Sequence, residues 1–174
     1  MGVRSRKPIS KLVQVRVFRR DGWVCRWCGR PVIFGPAMRY LDALARSHGV
    51  KDSLAYFHPN WTRRDAPLLD HLGAVIDHVE AHSRGGLDAE DNFATACSKC
   101  NARKNATALN DFTSRSPRRS VVSRYGEPVA WDGFSTLFLV LARQMPAMVT
   151  PSEAEWLKAL DTAAHESGTG GHAE

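Results

Sequence analysis

The sequence predicts an α+β protein: a small core of strand, loop and helix, flanked by an N-terminal helix, an inserted helix and two C-terminal helices. Three observations predict it. Two Cys-x-x-Cys pairs, Cys25/Cys28 and Cys97/Cys100, stand far apart in the chain. The segment ahead of the second pair is β-prone and runs into a Gly-rich turn, and four other segments carry apolar residues or caps at helical spacing. At 174 residues the chain is long enough for one domain with a real core and too short for two well-filled ones.

The elements follow in chain order. Ser10 is placed to cap a helix that runs to about Arg20, with Leu12, Val15 and Phe18 recurring at helical spacing, and Asp21-Gly22 ends it. A turn then presents Trp23-Val24-Cys25. Pro36 to His48 reads as a second helix, with Met38, Leu41, Leu44 and Ala45 on one face and Gly49 just past its end. Asp52 to Asp70 has no clear period and reads as loop. Ala74 to Ala81 reads as a strand through Val75, Ile76 and Val79, followed by the turn Ser83-Arg84-Gly85-Gly86. Cys97 to Ala106 has a helix-compatible composition. Residues 113–130 are rich in Ser, Arg and Pro and read as a basic linker or arm. Trp131 to Gln144 and Pro151 to His165 read as helices, the second opened by Thr150 as cap, Pro151 in the first turn and Glu153 at the capping-box position. The organisation is a domain over 1–112 with an insertion at 31–70, the arm at 113–130, a helical extension over 131–167 and a disordered tail over 168–174.

Hydrophobic content of 43% and charged content of 24% lie in the range of soluble globular proteins, which excludes wholesale disorder. Residues 1–22 lack the apolar core of a signal peptide, and Phe134 to Ala142 is far short of a membrane span, so a cytoplasmic location without a membrane partner is expected. The net charge of +6 is unevenly spread. Residues 1–30 carry nine Lys/Arg against Asp21 alone, residues 101–125 carry six basic residues against one acidic, and residues 126–174 carry two against seven. Both basic segments border a cysteine pair. If the pairs meet in space, the two patches merge into one surface suited to a phosphate backbone; the plain alternative is a solvated basic face.

All four cysteines fall into the two pairs, with none left over. In a reducing compartment this arithmetic favours tetrahedral Zn²⁺ on four thiolates, and four protein ligands leave no open position, so such an ion is structural. Two disulfides or a redox pair are the rival readings. The 68 residues between the pairs exceed the gap of a simple zinc ribbon, so something is inserted between the halves.

Between the pairs lie Ile76-Asp77-His78-Val79-Glu80-Ala81-His82-Ser83-Arg84-Gly85-Gly86 and then Asn92, followed by Cys97-Ser98-Lys99-Cys100-Asn101-Ala102-Arg103-Lys104. This series resembles the HNH endonuclease family: a cysteine knuckle, an Asp-His on a strand, a Gly-rich turn, an Asn in the loop, and a second knuckle leading into a helix that carries a final His or Asn. The resemblance covers Phe18 to Cys28 and Ile76 to Lys104; residues 31–70 fall outside it. It implies a ββα-metal core with a four-cysteine zinc knuckle, and an enzyme that hydrolyses DNA phosphodiester bonds.

The resemblance also implies roles. Asp77 and Asn101 would bind one divalent cation, from strand and helix respectively, which would hold the scissile phosphate and stabilise the departing 3′ oxygen. His78 would be the general base on the attacking water; next to Asp77 on an extended strand, it points to the opposite face. Asn92 would pin the loop and orient His78, although a plain turn residue is the other reading. Asn101 stands where many members carry a metal-binding His, a His-Asn-Asn variant, and the hard oxygen donors favour Mg²⁺ or Mn²⁺ over Zn²⁺ at the catalytic site.

Arg84, Arg103, Lys104, Arg118 and Arg119 are candidate phosphate contacts, with solvated surface charge as the alternative. His82 reads as an exposed histidine, and His58 and His71 receive no role. The expected partner is double-stranded DNA, and since a single site nicks one strand, a double-strand break calls for a homodimer or a protein partner. The competing function is a zinc-stabilised nucleic-acid-binding module without catalysis, which would have no need of a base beside a metal ligand. RNA cleavage ranks last because no RNA-recognition module is present.

Overall fold

Ser10 opens the first helix with its hydroxyl, which accepts from the Val13 amide at 3.3 Å, and α1 (Lys11–Arg20) buries Val15, Val17 and Phe18. The computed structural model of the chain describes residues 8–51, 71–104 and 128–168. The expected loop at 52–70, most of the basic arm and the tail beyond Gly168 lie outside them. Helix α2 (Gly35–Ser47) begins with Pro36 in its first turn. Its deepest positions are Ala37, Met38 and Tyr40, while the predicted Leu41, Leu44 and Ala45 are only half-buried. Tyr40 goes inward because its hydroxyl finds the carbonyls of Leu141 and Met145, at 3.3 and 3.0 Å.

Strand β1 (Ala74–His78) pairs antiparallel with β2 (Phe93–Cys97), Ile76 opposite Thr95 and His78 opposite Phe93. β1 is shorter than the predicted strand to Ala81. Beyond His78 the Val79 amide still reaches the Asn92 carbonyl at 2.8 Å, but the backbone of Glu80 is taken by the Asn92 side chain, and the chain turns. β2 was not separable from loop by its residues, because Phe-Ala-Thr-Ala-Cys is buried at every position and shows no polar alternation. Cys97 is the last residue of β2 and not the first of a helix; α3 (Ser98–Lys104) starts directly after it.

α4 (Ser135–Gln144) starts four residues later than Trp131. Gly133 and Phe134 both have left-handed backbones, φ 67° and 69°, which no α-helix accommodates. Gly133 lies so close to Trp23 that an added Cβ would stand 2.5 Å from its ring. The Asp132 carboxylate then caps the helix, accepting from the amides of Phe134 and Thr136 at 3.0 and 2.8 Å. α5 (Pro151–Gly168) is opened by the predicted capping box: Glu153 accepts from the Thr150 amide at 2.8 Å, and the Thr150 hydroxyl accepts from the Glu153 amide at 3.3 Å.

One core joins these elements. Phe18 of α1, Trp23, Trp27, Phe34, Tyr40 of α2, Cys97 of β2, Phe138 of α4 and Leu160 of α5 belong to a single buried cluster. Phe34 meets Phe138 and Trp156 edge to face, at 5.9 and 5.3 Å between ring centroids. The C-terminal helices therefore close the same core that supports the cysteine-bearing strand. Among the described residues, no helix is long and apolar enough to cross a membrane.

Candidate active and metal-binding site

The end of α1 fixes the sheet that carries the site. Asp21 accepts from the Thr95 amide at 2.7 Å, and the Arg20 guanidinium donates to the carbonyls of Phe93 and Glu90 at 2.7 and 3.1 Å. The first cysteine pair sits in the turn that follows. The Cys25 amide donates to Arg30, the Gly29 amide donates back to Cys25, and the Arg26 amide donates to Thr95 of β2 at 2.9 Å, which docks the turn against the second pair. The two pairs meet. The ligand atoms of Cys25, Cys28, Cys97 and Cys100 all lie within 4.8 Å of one another, and the sulfurs of Cys28 and Cys97 are 3.8 Å apart.

That spacing fits a tetrahedral ion. Zinc–thiolate bonds of about 2.3 Å separate ligand sulfurs by about 3.8 Å, nearly twice the length of an S–S bond. All four cysteines are free of disulfides. Contact with Cys97 and burial push the Cys25 thiol far up, and burial together with the neighbouring sulfur of Cys25 pushes Cys100 up to about 12. Four sulfurs this close ionise together only when a cation lies among them.

On β1 the two consecutive polar residues face opposite ways, as strand alternation requires. Asp77 is buried. Its carboxylate accepts from the Trp27 indole at 2.8 Å and from the Lys104 ammonium at 3.2–3.3 Å. Lys104 is itself fully buried, donates to the His78 carbonyl at 2.6 Å and lies over the Trp27 ring at 5.2 Å. This corrects one expectation: Lys104 is no phosphate contact in this structure, since its amine is turned inward onto Asp77. Burial pushes the Asp77 carboxyl above the ordinary carboxylate range, and Lys104, then Trp27, oppose that rise.

Asn101 lies half-buried on α3, three residues before Lys104 and so on the same helical face, and α3 packs on β1. The donors available there, a carboxylate and an amide oxygen, suit a hard divalent cation. The pocket at Asp77 already stabilises positive charge, in the form of the Lys104 ammonium. A divalent ion held by Asp77 would have to displace that ammonium.

His78 occupies the other face. Its ring meets Phe93 edge-on, with centroids 4.9 Å apart and planes at 89°, and Nε2 lies 2.8 Å from Asp88 Oδ1. The Asn92 side chain spans the loop, and its hydrogen bonds go to Glu80 and Leu87 and not to His78. Its side-chain oxygen accepts from the Glu80 amide at 2.8 Å, and its nitrogen donates to the carbonyls of Glu80 and Leu87 at 3.0 and 2.9 Å. Gly86 passes directly under this clamp: a Cβ there would stand 1.9 Å from Glu80 O and 2.9 Å from Asn92 Nδ2. Gly86→Ala is therefore expected to break the Asn92 clamp and destabilise the fold by about 1–3 kcal/mol, measured by urea unfolding, while Gly85→Asn, at φ 96° with open space around it, is far milder.

Arg84 and Arg103 are exposed, and Arg118 and Arg119 lie outside the described residues. The basic N-terminal segment is partly neutralised. Lys11 pairs with Glu155 and Arg16 with Glu166, both on α5, and Arg20 pairs with Asp21. Arg26, Arg30 and Lys99, beside the cysteines, stay exposed. Two residues of the site, Trp27 and Asp88, escape the sequence reading, and a third, Lys104, enters it in another role. Trp27 and Lys104 carried a signal, one inside the first knuckle and the other one helical turn past Asn101; Asp88, ten residues from His78 across a turn, carried none.

Residues 67–107 match the family model described as HNH endonuclease, a span that holds Asp77, His78, Asn92, Asn101 and the second cysteine pair. No curated protein and no solved structure matches the chain. The match covers less than a quarter of the 174 residues and supports nuclease-type activity.

Proposed function

We propose that the protein is a metal-dependent DNA endonuclease that hydrolyses phosphodiester bonds. The observation that carries this reading is the division of labour on β1. His78 presents a ring held by Phe93 and Asp88, while Asp77, on the reverse face, holds positive charge beneath α3. A residue that takes a proton and a residue that binds a cation, adjacent in the chain, are the two groups that the attack of water on a phosphodiester calls for.

His78 accepts the proton of the attacking water. Asn92 keeps the loop beside it closed, and Asp77 with Asn101 holds Mg²⁺ or Mn²⁺. When bound, that cation supplies charge to the scissile phosphate and the leaving oxygen. Cys25, Cys28, Cys97 and Cys100 hold a structural Zn²⁺ that locks β2 and α3 to the first knuckle. Arg84, Arg103, Arg118 and Arg119 contact the phosphate backbone of double-stranded DNA, joined by Arg26, Arg30 and Lys99 around the cysteines. A double-strand break takes two cuts, from a second copy or a partner.

The test is nicking of supercoiled plasmid by purified protein in Mg²⁺, Mn²⁺ or EDTA, with His78→Ala in parallel. Nicking is expected in either metal, none in EDTA, and a loss of about 10²–10⁴-fold in the variant with DNA binding and zinc content retained. A folded wild type that binds DNA but never nicks it would turn the reading to a binding module. Activity that returns to stripped protein with Zn²⁺ alone would overturn the choice of cation.

A further inference from the structure

The mechanism above leaves the Asp88 carboxylate unused. It lies ten residues beyond His78, yet its Oδ1 stands 2.8 Å from His78 Nε2. The contact is not a loose surface encounter. Asn92 donates to the carbonyl of Leu87, the residue before Asp88, and clasps Glu80 on the other side of the turn. Gly86 fits under Glu80 with no room for a side chain. The turn that carries Asp88 is thus tied at both ends, and Phe93 fixes the plane of the imidazole from a third direction.

An ionised carboxylate can only accept, so the hydrogen shared with Asp88 sits on His78 Nε2. A neutral imidazole with its hydrogen on Nε2 has its lone pair on Nδ1. We propose that Asp88 is the positioning residue of the site: it selects the Nε2–H tautomer of His78, aims the ring, and makes Nδ1 the atom that takes the proton from water. The proposal rests on the nuclease reading for what Nδ1 does, but the choice of tautomer stands without it. It also gives Asn92 a physical task, because the side chain that holds the turn acts on His78 through Asp88.

Asp88→Asn and Asp88→Ala separate this role from a structural one. Asparagine keeps the size of Asp88 but can present an N–H to Nε2, which would move the imidazole hydrogen to Nδ1 and block the base. Alanine leaves Nε2 to water and biases neither nitrogen. Asp88→Asn is therefore expected to cut more slowly than Asp88→Ala, with kcat down about 10²-fold or more for asparagine and KM and DNA binding unchanged. Asp88→Glu should restore part of the rate.

A merely structural Asp88 would give the reverse order, alanine worse than asparagine, and that order would overturn the proposal. The second readout needs no cutting: ring ¹⁵N shifts of His78 should report Nε2–H in the wild type and a shift toward Nδ1–H in Asp88→Asn. A wild-type Nδ1–H tautomer overturns the proposal whatever the activity. The Nε2–H tautomer in a protein that never nicks DNA would uphold the pairing and remove the nuclease reading instead.

Discussion

Cys97→Ala is expected to yield protein without zinc and without a cooperative fold. Cys97 is the last residue of β2, its sulfur stands 3.8 Å from that of Cys28, and it also accepts from the Cys100 amide at 3.4 Å. Losing it removes one of four ligands and the link between the sheet and the first knuckle at once. Structural zinc contributes apparent binding free energies of about 10–16 kcal/mol, whereas a domain of this size is stable by about 5–15 kcal/mol, so the ion outweighs the margin. Cys25, Cys97 and Cys100 belong to the same buried cluster as Trp27, Val32 and Ala96, so loss of the ion also disturbs that packing. Metal content by atomic absorption and thermal unfolding followed by circular dichroism check this, with EDTA on the wild type as the parallel route. A zinc-free Cys97→Ala protein that melts cooperatively at the wild-type temperature would remove the ion from the account of the fold.

The parts of this protein written in local patterns were legible in the sequence. The Ser10 cap, the Thr150/Glu153 box and the pairing of four cysteines each depend on residues a few positions apart, or on residue types with one dominant chemistry. What escaped depends on contacts between distant segments. β2 is buried at all five of its positions, so its residues carry no alternation to read. Helix α4 starts late because Gly133 must lie against Trp23, more than a hundred residues earlier. The basic N-terminal segment looks free in sequence, yet α5 supplies Glu155 and Glu166 to Lys11 and Arg16. Lys104 shows the same limit at the site itself. A lysine near the end of a basic helix reads as surface charge, and only the fold brings Asp77 and the Trp27 ring around it.

Lys104→Met should be the most destabilising change outside the cysteines. The ammonium and the Asp77 carboxylate are both buried, with side-chain exposures of 1% and 8%, and breaking such a pair from one side leaves the other charge uncompensated, at a cost of about 3–5 kcal/mol. Methionine replaces the stem and the contact with Trp27 but leaves Asp77 with the indole alone.

The sign of the pH dependence follows. Burial already pushes the Asp77 carboxyl up against the pull of Lys104, so without Lys104 it rises further. The folded variant then keeps a proton that the unfolded chain has released above about pH 3.9, and its stability falls as pH rises from there through the folded-state value. Urea unfolding should accordingly show a smaller deficit against wild type at pH 4.5 than at pH 7.5. Adding Asp77→Asn to Lys104→Met removes the stranded charge and should recover most of the loss, and the double variant should also lose its pH dependence. A Lys104→Met protein within about 1 kcal/mol of wild type at pH 7.5 would mean that Asp77 finds another cation or stays neutral, and would overturn the ion pair as a source of stability.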